Sequence, residues 1–245
     1  MIGGMRAALG FLTRIPVGPH DRGLDRAAPY FPLVGVVVGG IAVATWWVAD
    51  AALGGFAAAV VAVLTTVIVT GALHEDGLAD TADGLWGGST SQRRLEIMRD
   101  SRLGTYGALA LGGDLLLRVA LLTPLGLADA ARVLLAGHVI GRAAPLVLAA
   151  WSPRARSDGQ GARLGRLRAG GATVAGATVV PVAVLATGWW APVLVAAAML
   201  PVLALRRAAH RRIGGVTGDV LGAGVALSNL AVAAAIAILA GRDLL

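Results

Sequence analysis

Long apolar runs separated by short polar segments constrain the fold of this 245-residue chain more than any other feature. A helix that crosses the hydrocarbon core of a bilayer needs about 20 mostly apolar residues. Seven runs come near this length, but the fifth and sixth are short and contain Pro181 and Pro201, so one of them is expected to be kinked or re-entrant. The predicted spans are Phe31–Asp50, Gly55–Leu73, Tyr106–Leu127, Ala130–Trp151, Ala172–Thr187, Trp190–Leu205 and Val220–Ala240. We therefore predict an all-α, polytopic membrane bundle of about seven transmembrane helices, with six as the alternative.

The composition supports a membrane environment and excludes several classes of function. Hydrophobic residues make up 57% of the chain and charged residues only 14%, whereas a soluble domain has about 25% charged residues. The lipid bilayer is therefore an expected partner, and residues 1–245, which no linker divides, are predicted to form one integral membrane domain. The absence of cysteine excludes disulfides, thiolate zinc sites and cysteine nucleophiles. Aromatic residues are scarce, which argues against nucleic acid as a partner.

Arginine supplies all 21 basic residues and concentrates in the longer gaps between the apolar runs. The Arg-rich gaps are Met1–Tyr30, His74–Thr105, Ser152–Gly171 and Arg206–Gly218. If the short gaps without Arg join neighbouring helices into hairpins, all the Arg-rich gaps lie on one side of the membrane. The positive-inside rule identifies that side as the cytoplasm. We predict a multi-pass protein of the inner (cytoplasmic) membrane, with its N-terminus inside and its C-terminus outside.

The segment His74–Gly84, with the sequence HEDGLADTADG, carries a regular series of carboxylates directly after an apolar run. We expect it to prolong the preceding helix, which places Asp76, Asp80 and Asp83 within about 60° of one another on one helical face. Like charges at this spacing repel, and a divalent cation would offset the repulsion. The pattern predicts a Mg²⁺ site for phosphate chemistry, in which Glu75, on a different face, ligates from the side or orients the ligands. The alternative without a metal is an acidic helix end exposed to solvent.

A second polar segment, Arg93–Gly107, follows about 20 residues later. It carries Arg99 and Arg102 one helical turn apart, with Asp100 between them. Because guanidinium groups bind phosphate through two parallel hydrogen bonds, we predict that these two arginines grip a diphosphate held by the metal. The alternative is that they only mark the cytoplasmic boundary.

Other polar residues lie inside or next to apolar runs. Two pairs have helical i, i+4 spacing and are expected to hydrogen-bond within the bundle or to contribute to a pocket; they are Asp114 with Arg118, and His138 with Arg142. Asp219 precedes the last predicted span and is interpreted as a further metal ligand, a general base or the N-cap of that helix.

These residues resemble a known family, the membrane-bound cobalamin (5′-phosphate) synthases, also called adenosylcobinamide-GDP ribazoletransferases. The similarity extends in the same order over most of the chain but is poor between Ser152 and Val202. The matching pieces are Phe11–Val17, Phe31–Gly35, His74–Gly84, Leu95–Gly107, Gly141–Pro145 and Gly214–Ala223. The most specific pieces are EDGxxDxxDG and MRDSRxGxxG.

The resemblance implies a Mg²⁺-dependent reaction in which adenosylcobinamide-GDP and α-ribazole, or its 5′-phosphate, give adenosylcobalamin or its 5′-phosphate and release GMP. Under this interpretation the aspartates at 76, 80 and 83 hold the metal, and Arg99 and Arg102 stabilise the phosphoryl charge. Asp83 or Asp219 takes the proton of the attacking hydroxyl. Substrate-binding roles are assigned to Arg14, Asp100 and Arg142. For the oligomeric state, a homo-oligomer is kept as an alternative to a monomer.

Two other functions fit parts of the pattern. A CDP-alcohol phosphotransferase also carries spaced aspartates on a helix, but it needs a longer series that begins DGxxAR, which is absent here. A transporter would use Asp114, Arg118, His138 and Arg142 as its path, but it leaves the aspartate series without a role.

Overall fold

The computed structural model describes residues 2–18, 23–156 and 169–245, so part of the third Arg-rich gap lies outside the described residues. Within these ranges the chain is helical, apart from loops and an isolated bridge between Arg154 and Val216. The helices are α1 (Ile2–Leu12), α2 (Leu24–Ala27), α3 (Phe31–Leu53), α4 (Gly55–Thr70), α5 (Leu73–Gly87), α6 (Ser91–Ile97), α7 (Thr105–Leu122), α8 (Leu127–Gly141), α9 (Ala144–Trp151), α10 (Ala169–Thr187), α11 (Ala191–Ile213) and α12 (Gly218–Ala240). Short 3₁₀ turns occupy Ala28–Tyr30 and Gly188–Trp190.

The predicted helical membrane bundle is confirmed. Five helical stretches of the described residues are long and apolar enough to cross a membrane, and α4 with α5 makes a sixth if this bent pair is counted as one span. The stretches are Leu24–Leu53, Thr105–Leu122, Leu127–Trp151, Gly171–Ile213 and Gly218–Ala240.

The longest stretch contains the predicted fifth and sixth spans. Its two ends contribute Ala175 and Ile213 to one hydrophobic cluster, whereas its middle contributes Ala186 and Leu194 to the other. The chain therefore reverses at the 3₁₀ turn, where Gly188 has a φ of +56°. The prolines that suggested a break lie inside α10 and α11, which continue past them.

The expectation that the aspartate segment prolongs the preceding span was wrong. Helix α4 ends at Thr70, and α5 leaves it at an angle of 88°. Gly71 and Ala72 adopt left-handed backbone conformations, with φ of +65° and +59°, and these end α4 and turn the chain through this corner. A side chain at Gly71 would overlap the guanidinium of Arg14, so glycine is required here for packing as well as for conformation.

Helix α12 holds the bundle together by packing along α5, α8 and α11. Its contact with α5 is close because both helices have glycine there. A Cβ at Gly77 would lie 2.8 Å from the Asp219 carbonyl oxygen, and a Cβ at Gly222 would lie 3.3 Å from that of Leu73. This backbone contact brings the aspartate series of α5 to the beginning of α12.

Candidate active site

A cavity of about 450 Å³ lies where α5 meets the beginning of α12. The loops that follow α6 and α9 contribute Arg99 and Arg156 to its lining. The charged and hydroxyl side chains that line it come from four separate parts of the sequence; they include Asp76, Arg99, Arg156, Thr217 and Asp219. The fold thus brings carboxylates and guanidinium groups to one concave surface, which is the composition of a phosphate-binding site.

Four aspartates lie at or near this end of the cavity, and two of them, Asp76 and Asp219, line it. Asp76 is exposed, Asp80 is half-buried and Asp83 is buried on α5. The negative charges of Asp76, Asp83 and Asp219 disfavour the ionised form of Asp80. The positive charge of Arg156 favours it. Such a concentration of like charge at a partly buried place is costly without a counter-ion.

The donor chemistry fits Mg²⁺, because carboxylate oxygens are the ligands that this hard cation takes. Among the described residues no group of three or more acidic or histidine side chains converges tightly enough to cage a metal. Mg²⁺ does not need such a cage, since it is commonly bound through one or two carboxylates together with substrate phosphates and water. Asp76 lines the cavity and Asp80 follows one turn further along α5, so these are the two carboxylates that could hold the cation in that mode.

Asp83 makes a different set of contacts from the other aspartates of α5. Its Oδ2 accepts a hydrogen bond of 2.7 Å from the Gly104 amide, and its Oδ1 accepts one of 2.8 Å from the Gly107 amide. The carboxylate thereby satisfies free amides at the N-terminus of α7, where negative charge is also favoured by the helix dipole. Asp83 ties α5 to α7, and its proposed roles as metal ligand and base remain predictions.

Asp219 receives two hydrogen bonds from neighbouring side chains. Arg156 donates to its Oδ2 at 2.6 Å, and the Thr217 hydroxyl donates to the same oxygen at 3.1 Å. The N-cap of α12 is Thr217, whose hydroxyl accepts from the Val220 amide at 3.3 Å. The interpretation of Asp219 as an N-cap was therefore wrong, because the residue two positions earlier takes that role.

The two predicted phosphate-binding arginines are separated in the structure. Arg99 follows α6 and lines the cavity. Arg102 is 85% exposed and pairs with Asp100, its Nε lying 3.0 Å from both carboxylate oxygens. These hydrogen bonds from Arg102 lower the pKa of Asp100 to about 2. Arg102 and Asp100 therefore form a surface ion pair and do not line the cavity.

Arg14, for which a substrate-binding role was predicted, packs against Gly71 at the corner between α4 and α5.

Glu75 points away from the cavity into a buried polar cluster. Its carboxylate lies 3.5 Å from the guanidinium of Arg118, which also lies 3.0 Å from Asp114. The predicted pairing of Asp114 with Arg118 is confirmed. This ion-paired triad joins α5 to α7 within the apolar bundle, and Glu75 lies among these side chains instead of with the other carboxylates of α5.

Arg142 belongs to the same buried polar cluster and is fully buried. Its Nη1 lies 3.0 Å from His138 Nδ1, a contact within the end of α8, whereas the hydrogen bonding expected for this pair was to other helices. Asn229 of α12 approaches the same ring nitrogen at 3.3 Å. The void among these side chains has a volume of about 10 Å³, which is room for about one water molecule and far too narrow for a solute path. The cluster therefore gives no support to the transporter hypothesis.

Arg156 was not identified from the sequence. It lies in the Arg-rich gap after α9, in the part of the chain where the family resemblance is poor, and its neighbours form no recognisable pattern. Its position beside Asp219, 63 residues later, depends on the packing of α9 against α12 and on the bridge between Arg154 and Val216. No local sequence signal identifies such a contact.

Comparisons with known proteins agree on one family. The sequence profile of cobalamin-5-phosphate synthase matches residues 4–237. The adenosylcobinamide-GDP ribazoletransferase of Azorhizobium caulinodans is 44% identical, over 92% of this chain and 91% of the relative. Proteins of the same name from Chlorobaculum tepidum and Sinorhizobium medicae are 40% and 41% identical; the first alignment covers 91% of this chain and 90% of the relative, and the second 94% of each. No solved structure matches the chain.

Proposed function

The chain belongs to the cobalamin-5-phosphate synthase family, and we propose that it acts as an adenosylcobinamide-GDP ribazoletransferase. In this reaction a ribose hydroxyl of α-ribazole, or of its 5′-phosphate, attacks the phosphorus next to the cobinamide arm. A new P–O bond forms to the ribose, the bond to the GMP phosphate breaks, and GMP leaves. The products are adenosylcobalamin, or its 5′-phosphate, and GMP.

One observation carries this proposal: the cavity gathers Asp76, Asp219, Arg99 and Arg156 from four separate parts of the chain. Phosphoryl transfer requires little covalent help from a protein, and its catalysis depends mainly on positioning and on neutralising charge at the phosphoryl oxygens. Carboxylates for a cation and arginines for phosphate oxygens meet both needs.

Asp76 and Asp80 are the residues that we propose hold Mg²⁺. The cation would polarise the attacked phosphoryl group and neutralise charge on the departing GMP phosphate. The repulsion among the aspartates around Asp80 supports this assignment, because a bound cation removes it. Asp83 contributes by fixing α5 against α7 through the Gly104 and Gly107 amides.

Arg99 and Arg156 would bind the non-bridging phosphate oxygens as charge develops on them. Asp219 is our choice for the general base that accepts the proton of the ribose hydroxyl. Its Oδ2 accepts hydrogen bonds from Arg156 and Thr217, whereas its Oδ1 accepts none from the described residues. Oδ1 is therefore the atom that would take the proton.

We also propose that the cavity opens to the cytoplasm from the inner membrane. The Arg-rich gaps supply Arg99 and Arg156 to the cavity and Arg94 and Arg212 close to it, where both donate to the Leu85 carbonyl oxygen. Two of the Arg-free gaps, Asp50–Gly54 and Pro124–Asp129, meet elsewhere in the bundle, where Gly55 packs against Thr123. This separation of charge supports a cytoplasmic site under the positive-inside rule.

The test is a reconstitution of purified protein in lipid with adenosylcobinamide-GDP, α-ribazole and Mg²⁺. We expect GMP and adenosylcobalamin in equal amounts, and no product when any one of the three components is omitted. A parallel reaction with CDP-diacylglycerol and an alcohol acceptor should release no CMP. Release of CMP without release of GMP would contradict the proposal and favour a CDP-alcohol phosphotransferase.

A further inference from the structure

The cavity has a second wall that the phosphate chemistry does not use. Phe11 and Leu12 of α1, Leu24 of α2 and Phe31 of α3 line the side contributed by the N-terminal helices. The two phenylalanine rings stack, with centroids 5.8 Å apart and planes inclined by 21°. None of these four side chains can donate or accept a hydrogen bond. We call these four residues the apolar wall.

The size of the cavity limits which part of the substrates can occupy it. A volume of about 450 Å³ lies toward the lower end of the range for small-molecule pockets, roughly 300–1,000 Å³. A nucleoside fits such a space, but a corrinoid ring with its side chains does not. We therefore place the nucleoside inside the cavity and the corrinoid outside it, with the diphosphate at the arginines and aspartates between them.

We propose that the apolar wall binds the benzimidazole base of α-ribazole and thereby selects the ribazole substrate. This inference rests on the proposed function and adds a specificity site to it. The wall and Asp219 line the same cavity, so a base bound at the wall leaves its ribose in the cavity that contains the proposed general base Asp219. The dimethylbenzimidazole base is flat and largely apolar, so it suits stacked phenylalanines and leucines.

The other base available in the reaction, guanine, is a poor match for this wall. Guanine presents donors and acceptors along two edges, and burying them against groups that cannot hydrogen-bond carries a large desolvation cost. The wall therefore discriminates between the two nucleotide parts of the substrates, and the guanine is left near the polar side of the cavity or in solvent.

The experiment measures binding instead of turnover, so that its result does not depend on catalysis. Protein in lipid nanodiscs is equilibrated without adenosylcobinamide-GDP, and dissociation constants are measured by equilibrium dialysis. The probes are the α-ribosides of 5,6-dimethylbenzimidazole and of unsubstituted benzimidazole, together with GMP. The proteins are the wild type, Phe11→Ala, Leu24→Ala and Phe56→Ala. Phe56 is the matched control, because it is a 66% exposed phenylalanine on α4 that does not line the cavity.

The wild type should bind the dimethyl riboside about fifteenfold more tightly than the unsubstituted one, since each of its two methyl groups adds roughly fourfold in affinity when buried. Phe11→Ala and Leu24→Ala should each weaken binding of the dimethyl riboside about fivefold to tenfold. They should also reduce the preference for the dimethyl over the unsubstituted riboside to about threefold or less. Phe56→Ala should match the wild type, and GMP affinity should not change in any variant. Thermal midpoints identify a variant that has lost its fold. Leu24→Ala is included as the second wall variant because it removes a smaller side chain than Phe11→Ala and disturbs the packing less.

Three results would overturn the inference: no ribazole binding by the wild type, an unchanged methyl preference in both wall variants, or weaker GMP binding in those variants. The proposed function fails separately. Normal ribazole binding without GMP release would reject the transferase activity and leave the base site intact. Normal turnover with wall variants that bind ribazole like the wild type would reject the base site alone.

Discussion

The Arg156 guanidinium lies 2.6 Å from Oδ2 of Asp219, although the two residues are 63 positions apart. The contact joins the segment after α9 to the first turn of α12, and both side chains line the same cavity. An arginine in this position holds the carboxylate in one orientation, and the proposed phosphate contacts would use its other N–H groups. The site therefore depends on long-range packing as much as on the aspartate series of α5.

Replacing Arg156 by alanine should lower kcat/KM for GMP release by about 100-fold, which is the usual cost of losing a charge-stabilising donor. Arg156→Lys should recover only part of this loss, because an ammonium group cannot reproduce the bidentate geometry. Arg207→Ala is the matched control, since Arg207 is an exposed arginine from another Arg-rich gap and does not line the cavity. Steady-state kinetics of the three variants measure the difference, and equal losses for Arg156→Ala and Arg207→Ala would contradict the assigned role.

The variants Asp76→Asn and Asp80→Asn should each lower turnover by at least about 100-fold at low Mg²⁺ and should require more Mg²⁺ for half-maximal activity. The reason is that each substitution removes one charged oxygen ligand from a site that has few. A magnesium titration of GMP release provides the measurement. Asp50→Asn serves as control, since Asp50 lies at the far end of α3, and wild-type titration curves for both test variants would refute the site.

The Asp83 contact predicts opposite effects for two glycines of α7. A Cβ at Gly107 would overlap the Asp83 carboxylate and lie 3.0 Å from the Ala79 carbonyl oxygen, whereas a Cβ at Gly112 would meet nothing within 4 Å. Gly107→Ala should therefore lower the thermal midpoint and abolish activity. Gly112→Ala should leave activity unchanged and add up to about 1 kcal/mol to the free energy of unfolding. Equal behaviour of the two variants would show that the α5–α7 contact is not made.

The buried triad of Glu75, Asp114 and Arg118 should matter for stability. Arg118→Met leaves two carboxylates buried without their counter-charge, which is expected to cost about 3–5 kcal/mol in the free energy of unfolding. Arg242→Met removes an exposed arginine near the end of the chain and should change the stability by less than about 0.5 kcal/mol. Unfolding curves in the same detergent compare the two, and a stable Arg118→Met protein would mean that the triad is uncharged or solvated.

The parts of the site that could be predicted from the sequence are those that depend on helical periodicity. The spacing of Asp76, Asp80 and Asp83 indicates a shared face for any α-helix, and the position of Asp219 before the last span indicates the same side of the bundle. The pairing of Asp114 with Arg118 followed from the same i, i+4 rule.

The remaining features depend on tertiary structure. The corner at Gly71 and Ala72 could not be predicted, because glycine and alanine inside an apolar run are equally compatible with a continuous helix. The separation of Arg99 from Arg102 follows from the end of α6 at Ile97, after which the two side chains no longer share a helical face. Arg156 reaches the site only through the packing of distant segments.

The central claim is that the aspartates at the cavity bind a divalent cation, and Mn²⁺ binding followed by electron paramagnetic resonance tests it most directly. Mn²⁺ takes the same oxygen ligands as Mg²⁺. The wild type in nanodiscs should reduce the free Mn²⁺ signal, Mg²⁺ should restore it by competition, and Asp76→Asn combined with Asp80→Asn should not bind the ion. Equal Mn²⁺ binding by the wild type and the double variant, or none by the wild type with both substrates present, would contradict the account.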